Sequence, residues 1–190
     1  MNTAEYQTAD KNMFLKKVFP VLVEYGLENI TIRELCKKTG IVQGTLYYWF
    51  KDKTSIVCEA AQYGLKTFTD EIFDYVFASL DDLRGFFSDC LYEVSKYKKE
   101  LRFVYQLAAS PVYGEKIRAD GKELNFIYDK YTRKLSSRLN CDEHTLKPLV
   151  YLFISAVLDY VIWDEKEKSQ MQLEFIYSVL PKIMKENKKV

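Results

Sequence analysis

The sequence predicts an all-α fold. Apolar residues recur at intervals of three to four along nearly the whole chain, the period of a helix that buries one face. No stretch alternates apolar and polar residues with the period of two that a half-buried strand requires. Seven glycines and four prolines in 190 residues leave little material for the many tight turns of a sandwich or barrel. A composition of 48% hydrophobic and 29% charged residues also excludes a disordered or fibrous chain.

Phe14, Val18, Leu22 and Tyr25 mark a first helix over about 11–25, with Gly26 as its stop. Pro20 lies inside it and predicts a kink or an early break. Thr31 and Glu34 then form a capping-box pattern, bracketed by Ile30 and Leu35 as a hydrophobic staple. That helix is short, because Gly40 ends it. Residues 44–50 form a second short segment, closed by Lys51, Asp52 and Lys53, with Asp52 placed to cap the next helix. From Thr54 the pattern runs through Ile56, Ala60, Tyr63, Phe68, Ile72 and Val76. A helix of about 25 residues would be roughly 37 Å long. Further helices are expected at about 81–97, 100–108, 113–139, 143–163 and 167–187. Ser79 is placed to cap the first of them. Breaks fall at Ser110-Pro111 and Asn140-Cys141-Asp142. Pro148 belongs near a first turn, and Pro181 predicts a kink.

Several function classes find no support. Met1 to Asp10 is polar and predicts no signal peptide. The longest apolar run, Leu149 to Trp163, contains Asp159 and falls short of the ~20 residues of a membrane span. It reads as a buried helix, so no membrane partner and a cytoplasmic location are expected. Cys36, Cys58, Cys90 and Cys141 have no metal-knuckle spacing and read as small buried residues. His144 is the single histidine and reads as exposed near a helix start. No metal site, cofactor motif, nucleotide loop or nucleophile motif is present, so an enzyme is the least supported class.

The net charge of +1 argues against phosphate binding until its distribution is considered. Residues 31–53 hold five basic residues against two acidic ones. Residues 1–53 hold eight against six, and residues 54–190 hold twenty against twenty-one. The excess therefore sits on two short helices joined by a glycine-containing turn, which is the helix-turn-helix pattern. Cys36 is small enough for close helix contact, and Gly40 tolerates positive φ in the turn. Leu35, Ile41, Leu46 and either Trp49 or Phe50 are fitted to hold the two helices together.

Residues 31–53, from Thr31-Ile32-Arg33-Glu34-Leu35 through Gly44-Thr45-Leu46-Tyr47-Tyr48-Trp49-Phe50 to Lys53, closely resemble the DNA-binding domain of TetR-family transcriptional regulators. The resemblance covers about 23 residues, or about 45 with the first helix. It implies an N-terminal three-helix helix-turn-helix DNA-binding domain over 1–53. A larger helical ligand-binding and dimerisation domain over 54–190 would follow. By the same resemblance Arg33 would reach guanine, Gln43 adenine, and Thr45 a base or phosphate. Gly44 would lie at the DNA surface. Tyr47, Tyr48 and Trp49 would offer polar groups and ring faces to the backbone. Lys53 and the following helix start would meet a phosphate, and Thr31 would cap its helix and touch another. Tyr47 is alternatively part of the core, and Lys37 and Lys38 a solvated face. Val42 stands where the family often has Ser, which removes a cap from the recognition helix. Thr39 replaces a common Ala.

The resemblance further implies a homodimer through the last two helices, a double-stranded DNA operator and a small-molecule effector. Leu173, Ile176, Tyr177, Leu180, Ile183 and Met184 share one face of the last helix, which either a partner subunit or the chain's own core would bury. Ser155 and Ala156 permit close helix approach. Candidate effector contacts are Phe68, Phe86, Phe103, Tyr105, Tyr128, Tyr131 and Asp159; each is alternatively plain core or, for Asp159, a solvated edge. Lys182, Lys185, Lys188 and Lys189 complement a helix C-terminus. The expected function is a homodimeric repressor released by a ligand. An activator or protein-partnered regulator of the same fold without an inducer is the alternative.

Overall fold

A computed structural model describes residues 3–27, 30–120 and 122–186. It contains ten helices and no strand among the described residues: α1 (Thr3–Tyr25), α2 (Ile32–Thr39), α3 (Gln43–Trp49), α4 (Lys53–Ala78), α5 (Leu83–Ser95), α6 (Lys98–Ala109), α7 (Gly114–Asp120), α8 (Lys122–Leu139), α9 (Glu143–Trp163) and α10 (Lys166–Glu186). The all-α expectation is met.

Several details differ from the sequence reading. The first helix begins by Thr3 and runs through Pro20 without a break. Pro20 is exposed, while Val18, Phe19 and Leu22 around it are buried. Burying each such side chain is worth about 1.5–3 kcal/mol, which offsets the roughly 3 kcal/mol cost of proline. Asp82, not Ser79, caps α5 by accepting from the Gly85 amide at 2.9 Å. The Ser79 hydroxyl instead donates back to the Tyr75 carbonyl at 2.8 Å. The single helix expected over 113–139 is described as α7 and α8, with Gly121 outside the described residues. Pro148 falls in the second turn of α9, and α10 runs through Pro181. Lys188 and Lys189, read as helix-end cations, lie outside the described residues.

No disulfide joins any of the four cysteines. Cys58, Cys90 and Cys141 are buried and Cys36 is half-buried. Burial pushes the Cys90 thiol up to about 12, so it stays protonated at neutral pH. His144 is exposed in the first turn of α9.

The chain packs as two compact units. The first comprises residues 1–69 and 99–119, and the second residues 70–98 and 120–190. α4 therefore contributes to both. In the first unit, Leu15, Val18, Phe19, Leu22, Leu35, Leu46, Phe50, Ile56 and Val57 are buried. Phe19 is flanked by Phe68 at 6.5 Å and by Phe103 of α6 at 6.0 Å between ring centroids.

The second unit has one core, in which α5, α8, α9 and α10 contribute Phe86, Leu91, Tyr131, Leu146, Leu173 and Ile176. α9 and α10 form a helical hairpin whose turn holds Asp164 in the left-handed region, with φ +61°. The Asp164 carboxylate pairs with Lys98, whose ammonium also lies 4.1 Å from the Tyr160 ring centre. α9 is not the buried helix that its composition suggested. Leu146, Leu149, Val150, Ala156, Val157 and Val161 are buried, but Tyr151, Leu152, Ile162 and Trp163 are exposed. It is long and apolar enough to cross a membrane by length and composition alone, and only 28% of that apolar window is buried in the single chain. An apolar face is therefore left uncovered.

Gly64 is required by packing. A Cβ built there would stand 2.3 Å from the Phe19 ring, and Phe19 is itself buried. Gly64→Ala is expected to lower stability by about 1–3 kcal/mol, the usual cost of overpacking. Thermal unfolding followed by circular dichroism checks this, and an unchanged melting temperature contradicts the packing assignment.

Candidate nucleic-acid interface

The geometry of residues 31–53 starts from a satisfied helix end. The Thr31 amide donates to Glu34 Oε2 at 2.9 Å, and the Glu34 amide donates to Thr31 Oγ1 at 3.2 Å. This is the complete capping box, with Ile30 and Leu35 both buried beside it. The Thr31 amide and hydroxyl, followed by Lys38 and Lys37, hold the Glu34 carboxyl below its ordinary value. α2 then ends at Gly40, whose φ of +70° lies where only glycine is unstrained. The Thr39 hydroxyl donates to the Leu35 carbonyl at 2.7 Å and accepts from the Ile41 amide at 3.4 Å, so this threonine braces the turn.

Leu35, Ile41, Leu46 and Phe50 are buried, and together they fix one face of α3 inward. Phe50 is thus the core member of the aromatic pair. Gln43, Gly44, Tyr47 and Tyr48 occupy the opposite face and are exposed, Tyr48 by 73%. Their spacing of i, i+1, i+4 and i+5 places them together on a helix. Tyr47 is therefore surface rather than core. Trp49 is half-buried, with its ring 5.0 Å from Tyr48 and 6.4 Å from Phe14. Thr45 is half-buried, and its amide donates to the Val42 carbonyl at 3.0 Å. Arg33, Lys37 and Lys51 are exposed. Lys38 is also exposed, but its ammonium rests 3.7 Å from the Tyr25 ring centre.

Two features modify the expected phosphate site at α4. Asp52 caps the helix by accepting from the Ser55 amide at 2.7 Å and the Ser55 hydroxyl at 2.8 Å. Those bonds hold its carboxyl below the ordinary range, so a negative charge sits at this helix start. Lys53 is half-buried and donates to the Leu27 carbonyl at 3.1 Å. Its ammonium is turned to the protein's own backbone.

A capped helix, a left-handed glycine turn and a second helix with one exposed face form a helix-turn-helix, the arrangement that DNA-binding proteins use. Residues 19–60 match the family model for bacterial regulatory proteins of the tetR family. The match runs from α1 into α4 and contains α2, the turn and α3 whole. Residues 19–60 are thus similar to the DNA-binding domain of that family. No curated protein matches the chain.

The candidate effector residues are divided between the units. Phe68, Phe103 and Tyr105 lie in the first, and Phe86, Tyr128, Tyr131 and Asp159 in the second. Phe68, Phe86, Phe103 and Tyr131 are buried, while Tyr105 and Tyr128 are half-buried. Tyr131 stacks on Phe73 at 3.7 Å, and its hydroxyl donates to Asp70. Asp159 accepts from Gln172 and pairs with Lys168, each at 3.1 Å. Those two α10 side chains hold its carboxyl below the ordinary value. Sequence reasoning missed that residues 99–119 pack with the N-terminal helices, because that contact is long-range and leaves no local pattern.

Val42 precedes α3 with no side-chain cap and is 71% exposed. Val42→Ser supplies an acceptor for the first-turn amides and is expected to add about 0.5–2 kcal/mol to stability. Urea unfolding measures this; a midpoint at or below that of the parent contradicts it.

Proposed function

We propose that the chain is a homodimeric repressor that reads a near-palindromic operator and leaves it when a small molecule binds. Residues 1–53 carry the reading surface, and residues 54–190 carry regulation and dimerisation. The observation that carries the reading is the outward face of α3. Gly44 is its most telling member, because its φ is not positive and a Cβ there would meet nothing within 4 Å. The fold gives no reason for glycine inside a helix, where it costs about 0.5–1 kcal/mol relative to alanine. Close approach from outside the protein does give one. Arg33 and Gln43 supply the forked and amide groups suited to guanine and adenine. A DNA target supports a cytoplasmic location.

Dimerisation is supported by the uncovered apolar face of α9 and α10. Leu152 is 50% exposed and Phe175 62%, with Trp163 and Met171 also open. A second copy burying the same face satisfies both hairpins at once. Two recognition helices would then enter successive major grooves about 34–36 Å apart. A ligand that binds better to a different spacing shifts the population away from the operator.

A second reading concerns the trigger. Tyr131 is engaged by Phe73 and Asp70, and Asp159 by Gln172 and Lys168. The effector candidates with the most polar chemistry thus have partners within the chain. That favours regulation by a protein partner, or activation, without a small-molecule inducer.

Selection of bound duplexes from a random pool tests the function. Enrichment of a symmetric, salt-sensitive site is expected, and recovery of no preferred sequence rejects it. Repeating the selection with candidate ligands separates the two triggers. Gly44→Ala is expected to keep or raise stability while weakening binding to the selected site by at least tenfold; parallel losses of both would return Gly44 to a structural role. Phe175→Glu is expected to convert a dimer to a monomer in sedimentation velocity. A dimer that survives this change places the interface elsewhere.

A further inference from the structure

Tyr48 is exposed on the outward face of α3, and a side chain that open turns about its own bonds unless a neighbour restrains it. Its ring meets the Trp49 indole edge to face, at 86° with centroids 5.0 Å apart. Adjacent positions on a helix do not face each other, so this contact depends on where the indole is laid and not on helical spacing. The indole has a second ring contact. Phe14 of α1 stands 6.4 Å from it, tilted by 42°, within the range of aromatic pairs. Phe14 and Trp49 are both half-buried. The indole therefore joins α1 to Tyr48.

A second side chain of α1 reaches the same end of α3. The Lys11 ammonium lies 5.2 Å from the centre of the buried Phe50 ring and pairs with Glu59 of α4. Lys11 and Phe14 are three residues apart and share one face of α1. Trp49 and Phe50, the last residue of α3 and its cap, are thus both in contact with that face. Lys11 and Phe14 precede residues 19–60, so this brace comes from outside the segment that matches the family model.

We propose that Phe14 is a positioning residue for DNA binding: acting through the Trp49 indole, it holds the Tyr48 ring in the orientation that meets DNA. Trp49 is then a spacer within the protein and not itself a DNA contact. The inference rests on the reading of the chain as a DNA-binding protein, and it adds α1 to the parts that set affinity. A ring already held loses less freedom on binding, and the difference appears as tighter binding. Phe14 and Trp49 carry no charge, so the effect leaves the salt dependence unchanged.

The test is fluorescence anisotropy of the full chain on the duplex recovered by selection, across a salt series, with folding of each variant followed by circular dichroism. Phe14→Leu removes the ring and keeps an apolar side chain. It is expected to weaken binding by roughly three- to tenfold, the ordering cost of about one side chain, with the same log–log salt slope. Phe14→Tyr keeps the ring and should bind as the parent does. Trp49→Leu should lose as much as Phe14→Leu, whereas Trp49→Phe, which keeps a ring without the indole N–H, should stay within about twofold of the parent. Tyr48→Ala should weaken binding by itself, and in that background Phe14→Leu should cost nothing more. A loss from Phe14→Leu that persists beside Tyr48→Ala overturns the proposal, because Phe14 then acts on the reading head by another route. Parent-like binding by a folded Phe14→Leu or Tyr48→Ala variant overturns it as well, while the DNA-binding reading stands. A Trp49→Phe variant as weak as Trp49→Leu makes the indole a contact and overturns the spacer role. Failure of the parent chain to bind any duplex overturns both readings.

Discussion

The structure of the reading head depends on one constraint: α3 must show the same face outward at all times. Seven residues cannot hold a helix by backbone bonding alone, since nucleation is unfavourable and short helices are marginal in water. The orientation of α3 is therefore imposed from its buried side. Leu46 and Phe50 are buried, as are Leu35 and Ile41, and α2 is fixed by the reciprocal Thr31–Glu34 bonds at one end and the left-handed Gly40 at the other. Each of these restrains a rotation of α3 about its axis. The exposed Gln43, Gly44, Tyr47 and Tyr48 inherit their direction from side chains that never meet solvent.

The same logic governs the second unit with a different balance. Its core is rich in aromatic contacts, including the parallel Phe73–Tyr131 stack and the Phe86, Phe87 and Phe153 group. Polar groups within it are bound locally, as in Tyr131 to Asp70 and Asp159 to Gln172 and Lys168. The hairpin of α9 and α10 is stabilised on its inner side only. An outer face bearing Leu152, Trp163, Met171 and Phe175 is a cost to a lone chain in water.

Much of this was legible in the sequence because the relevant information is local. The capping box, the turn at Gly40, the Asp52 cap and the breaks at 110–111 and 140–142 are written in residues three or four apart. The outward set on α3 follows from helical spacing once Leu46 and Phe50 are known to be inside. What was not legible depends on distance along the chain. Lys53 reads as a surface cation, yet its partner is a carbonyl 26 residues earlier. Ser79 and Asp82 are both competent caps, and only the path of the chain selects Asp82. The return of residues 99–119 to the first unit rests on Phe103 meeting Phe19, a pairing that no periodicity announces. Effector contacts were the least legible, since an aromatic side chain at helical spacing reads the same in a core and in a pocket.

The bare start of α3 has a consequence for the helix itself. Without a hydroxyl or carboxylate at Val42, no side chain caps the start of this seven-residue helix, although the Val42 carbonyl accepts from the Thr45 and Leu46 amides. Such a helix end opens readily, so its amide hydrogens exchange with water faster than those of the capped α2.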